Sequence, residues 1–318
     1  MLGNSDFLPD RARICRALPE QGKLKMSDEL VALVSRHTMA SQQQTPFQTQ
    51  IPGVTLIRAS RGRHPRYVLH QPALCLVAQG AKRTVFGDTP FDYGAGEALI
   101  VSTTIPGVSR IRRATAGAPY LGVIIEFDVA ILRDVYLDMA PPPAPSTASA
   151  HAAFVVKLDV RLRNCVLRGL GLLDTPEAIP ALYPAFMREL CYWLLAGPVG
   201  MNVARIATGH GRSAHMLKAI QLLRDSFAEP LRIDVLAAAA RLSRSAFHRQ
   251  FKSLTGMTPL DYQKQLRLLE ARHLLVSRDQ KAEIVALRVG YQSASQFSRE
   301  YARNFGLPPK RDMATLAR

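Results

Sequence analysis

The stretch SRSAFHRQFKSLTG, Ser243 to Gly256, returns in outline as SASQFSREYARNFG, Ser293 to Gly306. Both open on serine, place phenylalanine fifth and arginine two positions later, and close on glycine. Two matched copies about fifty residues apart indicate one supersecondary unit used twice. In the first copy, RIDVLAAAARL is expected as a short supporting helix capped by Asp234, with Ser243 capping the helix that follows. On that second helix Phe247, Phe251 and Leu254 fall at i, i+4 and i+7 and form an inward stripe, which turns Ser245, His248, Arg249 and Lys252 outward. In the second copy KAEIVALRVGY is the supporting helix, Gly290 and Tyr291 make the turn, and Ser293 precedes the exposed helix. There Phe297, Tyr301 and Phe305 face inward, leaving Ala294, Ser295, Ser298, Arg299 and Arg303 outside. This is a helix-turn-helix pattern, written twice.

Such a pattern suits double-stranded DNA. A helix fits the major groove, where arginine donates two hydrogen bonds to guanine. Serine hydroxyls and helix N-terminal amides hold phosphates and set register. Between the copies, PLDYQKQLRLLEARHLLVS reads as one helix of roughly 16 residues, about 24 Å long. A stiff connector of that length can set two reading helices close to one duplex turn apart, about 34 Å. Charge agrees. The chain carries a net charge of +16, and from Arg212 onward 19 basic residues stand against 9 acidic ones. A basic domain of this kind favours a polyanionic partner through phosphate neutralisation and counterion release.

The 318 residues suffice for two domains. Residues 1–25 are basic, without sustained periodicity, and are expected as a loose extension; Ser27 is a plausible cap for the helical stretch SDELVALVSRHTMA, and Met26 a possible alternative start. From Pro46 to Glu126 short apolar runs are cut by Gly, Pro and Asp: VTLIRAS, ALCLVAQG, AKRTVFGDTPFDYGAGEALIVS and YLGVIIEFD read as strands, with tight turns at Gly87-Asp88 and Gly94-Ala95-Gly96. Many short strands without helices between them predict a small antiparallel barrel or sandwich. A helix, DVAILRDVYLDM, and a Pro/Ala/Ser linker follow, and after His151 the chain is expected to be helical. Leu158, Leu162, Val166, Leu170 and Leu173 form one apolar stripe, which either packs within the subunit or serves as a dimer seam. The expected division is therefore 26–140 for an effector or dimerisation domain, 141–212 for a linker and helical dimerisation segment, and 213–318 for the DNA-binding domain.

The segment from about Ala214 to Arg311 resembles the DNA-binding domain of the AraC/XylS family of bacterial transcription regulators. The motifs that carry the likeness are FHRQFK, GYQSASQFSREY and FGLPPKR, and the match runs over about a hundred residues. The resemblance implies Ser245, His248 and Arg249 as base readers of the first helix, with Ala294, Ser295 and Arg299 as their counterparts. Alanine at 294 offers only apolar contact, for example to a thymine methyl. IPGVTLIRAS, LHQPALCLVAQGAKRTVFGD, YGAGEALIVSTTIPGVS and APYLGVIIEFD resemble the N-terminal domain of one subgroup of that family, which implies a cupin-like fold that senses a small molecule or mediates dimerisation. The expected fold class is thus α+β, a cupin-like β-barrel with flanking helices ahead of an all-α domain.

Candidate pocket residues, on alternate strand positions, are Tyr67, Cys75, Val77, Tyr93, Ile100 and Val123. Cys75 is either a small core filler or a reactive thiol. Enzymatic cupins hold a metal with an HxH set; here His64 and His70 stand six apart and Glu97 stands alone, so neither metal nor cofactor is expected. No nucleophile–base pair or phosphate-binding glycine loop appears, which weighs against an enzyme. Four scattered cysteines without a CxxC pair, no leader-like apolar core and no membrane-length apolar run fit a cytoplasmic chain. Expected partners are operator DNA, a small-molecule effector, a second copy of the chain and, for an activator, RNA polymerase. A barrel enzyme and a nonspecific architectural DNA binder are the rival readings.

Overall fold

The computed structural model describes residues 20–39, 46–62, 65–145, 152–208, 212–278 and 280–316. His64, the loose extension up to residue 19 and part of the Pro/Ala/Ser linker lie outside the described residues.

The N-terminal half is built on two antiparallel sheets. One has six strands in the order β1 (Phe47–Gln48), β2 (Val54–Ala59), β9 (Tyr120–Glu126), β4 (Ala73–Gln79), β7 (Glu97–Val101) and β10 (Ala153–Lys157). The other has four, in the order β3 (Arg66–His70), β8 (Ile105–Arg113), β5 (Ala81–Phe86) and β6 (Thr89–Gly94). The sheets face each other without one continuous ladder joining them, so the expected barrel is an open, sandwich-like one. The turns at Gly87 (φ +55°) and Gly96 (φ +80°) occupy the left-handed region that glycine reaches without steric cost.

The run ALCLVA is apolar at every position because β4 is buried on both faces. Leu74, Leu76 and Ala78 join a core under a helical layer, while Ala73, Cys75 and Val77 face the second sheet. The helical layer consists of α1 (Glu20–Met39), α2 (Val129–Asp138), α3 (Val160–Gly171), α4 (Ile179–Ala196) and α5 (Gly200–Thr208). Its core runs from Leu30 to Ala207. Asp128 caps α2 by accepting from the Ala130 and Ile131 amides at 2.9 and 3.1 Å.

Several expectations change. The first helix begins at Glu20 rather than after a cap at Ser27. The intervening Gln, Lys and Leu are good helix formers, and Gly22 alone costs only about 1 kcal/mol. Strands β3 and β8 escaped the sequence reading because RYVLH and IPGVSRIRR carry charge, Pro106 and Gly107 where an apolar run would announce a strand. The chain after His151 is not wholly helical, since β10 pairs along β7 from Ala153↔Val101 to Lys157↔Glu97. The segment 141–212 thus rejoins the first sheet and its helical layer. The stripe of Leu158, Leu162, Val166 and Leu170 is buried within the chain, with Leu173 half-buried beside it. The apolar surface of that stripe is taken up in the core of the helical layer, so the stripe itself is not free to form a seam.

Candidate DNA-binding face and effector cavity

The C-terminal half runs through α6 (Arg212–Asp225), α7 (Ile233–Ala239), α8 (Arg244–Thr255), α9 (Pro259–Arg278), α10 (Ala282–Arg288), α11 (Ala294–Phe305) and α12 (Pro309–Leu316). The pairs α7–α8 and α10–α11 are the two helix-turn-helix units, and their turns close alike. Leu242 N donates to Ala237 O at 3.0 Å, and Tyr291 N donates to Ala286 O at 2.9 Å. The left-handed residue before each of these is Gly290 (φ +91°) in the second copy and Arg241 (φ +55°) in the first. Glycine is required only at 290, where a Cβ would meet the Ala228 carbonyl oxygen at 2.0 Å. Ser243 accepts from the Ala246 amide at 3.4 Å and Ser293 from the Gln296 amide at 3.3 Å, each capping its exposed helix. Asp234 does not cap α7. It lies in the helix's first turn and pairs instead with Arg244 on α8, tying supporting helix to exposed helix at the surface.

Phe247, Phe251 and Leu254 are buried, as are Phe297 and Tyr301, while Phe305 is half-buried against the second core. Edge-on and tilted ring contacts at 5.3 to 5.5 Å fill both units, including Phe247–Phe251, Phe251–Tyr262, Tyr291–Phe297 and Phe297–Tyr301. Ser243, Ser245, His248, Arg249 and Lys252 are exposed on the first unit. On the second, Ser293, Ala294, Ser295, Arg299 and Arg303 are exposed and Ser298 is half-buried. All of the residues expected to face outward except Ser298 are therefore on the exposed surface.

The connector α9 has 20 residues, so its length is about 30 Å, longer than the 24 Å expected. Tyr262 and Leu266 near its start belong to the first unit's core, and Leu268, Ala271, Leu274 and Leu275 to the second's. Between them the half-buried Arg267 guanidinium donates to the carbonyls of Phe227, Ala228, Glu229 and Gly290 at 2.8 to 3.1 Å. At the far end Asp312, only 5% exposed, accepts from Arg272 Nε at 2.9 Å and from Tyr301 Oη at 2.8 Å. The two exposed helices are thus held by one rod packed into both cores.

The first unit does not stand free of the sheets. Its buried rings share one core with Ala73, Cys75, Val77, Leu99 and Val101 of the six-stranded sheet. The Ala152 amide donates to Leu254 O at 2.8 Å, and Tyr262 Oη donates to Thr104 O at 2.7 Å. The β5–β6 turn meets the end of α8 so closely that a Cβ on Gly87 would lie 2.1 Å from the Gly256 carbonyl oxygen. The second unit touches the sheets as well, where the Tyr67 ring on β3 stands edge-on to Phe305 of α11 with centroids 4.8 Å apart.

A cavity of about 280 Å³ lies between the sheets. Ile57, Val68, Ile111 and Ile124 form apolar walls, with Cys75, His70, Lys82 and Ser109 inside and Arg66 and Glu126 exposed at the rim. Of the six residues expected from strand alternation, Cys75 lines it. Val77 and Tyr93 are buried in the shared core, Ile100 and Val123 face the helical layer, and Tyr67 packs on Phe305. A one-position change of register moves a strand residue to the other face, which is why alternation alone could not choose among them. Burial raises the pKa of the Cys75 thiol, which opposes thiolate formation and favours the core-filler reading. Burial, helped by the neighbouring Lys82 charge, lowers the His70 pKa to about 3, so its ring is neutral at ordinary pH. His70 Nε2 lies 3.5 Å from Ser109 Oγ, which bonds Thr84 Oγ1 at 3.0 Å, and Thr84 in turn bonds Tyr93 Oη at 3.1 Å. His70, Lys82 and Ser109 were missed. The available signal was Lys82, Thr84 and Phe86 at alternate positions of AKRTVF, readable only once the inward face is known.

Comparison with known proteins agrees with this architecture. Residues 50–202 match the family model described as AraC-type transcriptional regulator N-terminus, and residues 236–314 match a helix-turn-helix domain model. The transcriptional activator RhaS of Escherichia fergusonii is 37% identical over 166 residues, covering 52% of this chain and 59% of that protein. RhaS of Pectobacterium atrosepticum is 28% identical over 250 residues, 74% of this chain and 83% of that one. The first three RhaS relatives are spanned over only 59%, 32% and 38% of their own length. Among solved structures, ToxT from Vibrio cholerae with an unsaturated fatty acid bound shares the fold at a TM-score of 0.56 and 13% identity, covering 86% of this chain and 96% of that one. No helix among the described residues is long and apolar enough to cross a membrane. With both of its halves matched, each by the corresponding domain model, the chain belongs to the AraC family of transcription regulators.

Proposed function

We propose that this protein is a sequence-specific transcription regulator that lays α8 and α11 in two successive major-groove segments of one DNA duplex. The observation that carries this reading is the single helix α9, shared by two ring-filled cores, each presenting an exposed basic helix on its outer side. Arg249 and Arg299 read guanine edges, Ser245, His248 and Ser295 make further base contacts, and Ala294 offers an apolar one. Ser243, Lys252, Ser293, Ser298 and Arg303 hold phosphates and set register.

The cavity between the sheets receives a small-molecule effector. Val68 lines that cavity, and its chain neighbour Tyr67 touches Phe305 on α11, so β3 is the short route from effector to DNA. Homodimerisation uses the outer face of α4 and α5, where Leu182, Tyr192 and Met201 are exposed. RNA polymerase is the further partner if this chain activates transcription, the role by which its RhaS relatives are named.

The test is recovery of bound DNA from a random pool, followed by footprinting of the enriched site. Protection of two neighbouring major-groove segments per protomer is expected. Protection of one or none, or equal affinity for random DNA at the same salt, refutes the reading and leaves a nonspecific binder.

A further inference from the structure

We propose that the cavity between the sheets takes a small monocarboxylate with a compact apolar body, its carboxylate paired with the Lys82 ammonium. This deepens the effector role proposed above and rests on that reading for its regulatory meaning, though not for the binding itself. Strand β5 turns Lys82, Thr84 and Phe86 inward, and Lys82 is only 7% exposed. No carboxylate among the described residues pairs with it. The titratable neighbours that act on it besides burial are the Cys75 thiol and the Arg66 guanidinium, and the cavity's one acid, Glu126, sits exposed at the rim without figuring among them. A buried ammonium without a counterion is costly, and the cost is relieved when an anion enters beside it. Burial lowers the Lys82 pKa, the direction expected for an ammonium without a counterion beside it.

The rest of the lining narrows the chemistry. Ile57, Val68, Ile111 and Ile124 give the ligand body an apolar wall, open to solvent on the side of Val68. Gln48, Thr55 and Gln71 also line the cavity, but a sugar laid against that apolar wall would leave much of its hydroxyl surface without a partner. A phosphate needs several cationic donors converging on one point, whereas Lys82 is the one buried cation of the lining, Arg66 is exposed at the rim and the buried His70 is neutral. A volume of about 280 Å³ is at the lower end for small-molecule sites, room for one aromatic or branched-chain acid.

The test titrates the full chain with phenylacetate, isovalerate and octanoate, following heat of binding and thermal unfolding. Phenylacetamide, the neutral counterpart of the first, is titrated in parallel. At least one acid is expected to bind and raise the unfolding temperature. Phenylacetate should bind about tenfold or more tighter than phenylacetamide. In Lys82→Met that preference disappears, and in Lys82→Arg it persists. Lys82→Met removes an unpaired buried charge and should fold at least as stably as the parent. Should it fail to fold, the acid-against-amide comparison on the unmodified chain still decides. Equal binding of acid and amide, an acid preference surviving in Lys82→Met, or no binding by any of the three acids overturns the proposal. DNA recovery from the random pool is run without acids, so its failure sinks the regulator reading while leaving the carboxylate site standing.

Discussion

Gly87→Ala probes the seam between the sheets and the first helix-turn-helix unit. The β5–β6 turn holds Gly87 at φ +55°, and an added Cβ would sit 2.1 Å from Gly256 O and 2.5 Å from its carbonyl carbon. Two costs arise. An L-residue in the left-handed region costs about 1–2 kcal/mol. The overlap is more than about 1 Å inside van der Waals contact, against backbone rather than a flexible side-chain end, and overpacking of that kind costs about 1–3 kcal/mol. Gly256 cannot yield cheaply, because it caps α8 at φ +71° and its amide bonds Lys252 O at 2.8 Å. Gly96→Ala separates the terms. It has the same backbone penalty at φ +80°, but the nearest atom to its Cβ is Arg163 Nη2 at 4.0 Å. In urea unfolding, Gly87→Ala should lose about 1–3 kcal/mol more than Gly96→Ala. The Ala152 amide, bonded across the same seam to Leu254 O, should exchange faster in Gly87→Ala alone. Equal stability losses with an equally protected Ala152 amide would refute the claim that the two halves share a close-packed seam.

Arg249→Ala and Arg299→Ala should each weaken binding at the selected DNA site by about 1–3 kcal/mol and relax selectivity nearby, as measured by titration at fixed salt; equal loss on random DNA makes them phosphate contacts. Asp312→Asn leaves the Arg272 guanidinium without its buried counter-charge, and loss of about 3–5 kcal/mol is expected in the unfolding of the second unit, checked by hydrogen exchange on α11 and α12. His70 has a folded pKa lowered to about 3, so the folded state binds fewer protons than the unfolded one between that value and an ordinary histidine's. Its contribution to stability is complete above pH of about 6.5 and declines as pH falls, by at most about 1.4 kcal/mol per unit. His70→Gln should therefore flatten the stability–pH curve between about pH 4 and 6 relative to the parent, and unchanged curves would show that the ring is not buried neutral.

The DNA-facing half was legible because its signals are local. Phe247, Phe251 and Leu254 at i, i+4 and i+7 determine which side of α8 is outside, and Ser243 and Gly256 mark its ends. None of this depends on a distant residue, and two copies of the pattern check each other. The strands with apolar runs, β2, β4, β7 and β9, were readable for the same reason. Charged strands such as β3 and β8 were not, because what makes them strands is the partner beside them.

Tertiary structure alone decided the rest. Side-chain period in a strand is 2, so the sequence AKRTVF allows Lys82 to face either water or the interior, and only the pairing of β5 with β6 and β8 turns it inward. Ala152 and Leu254, Gly87 and Gly256, and Tyr67 and Phe305 lie far apart along the chain, and no periodicity links them. Local pattern determines which face of an element is apolar; which two apolar faces meet depends on packing the whole chain at once. The repeated reading helices belong to the first kind of information, and the cavity with its buried lysine belongs to the second.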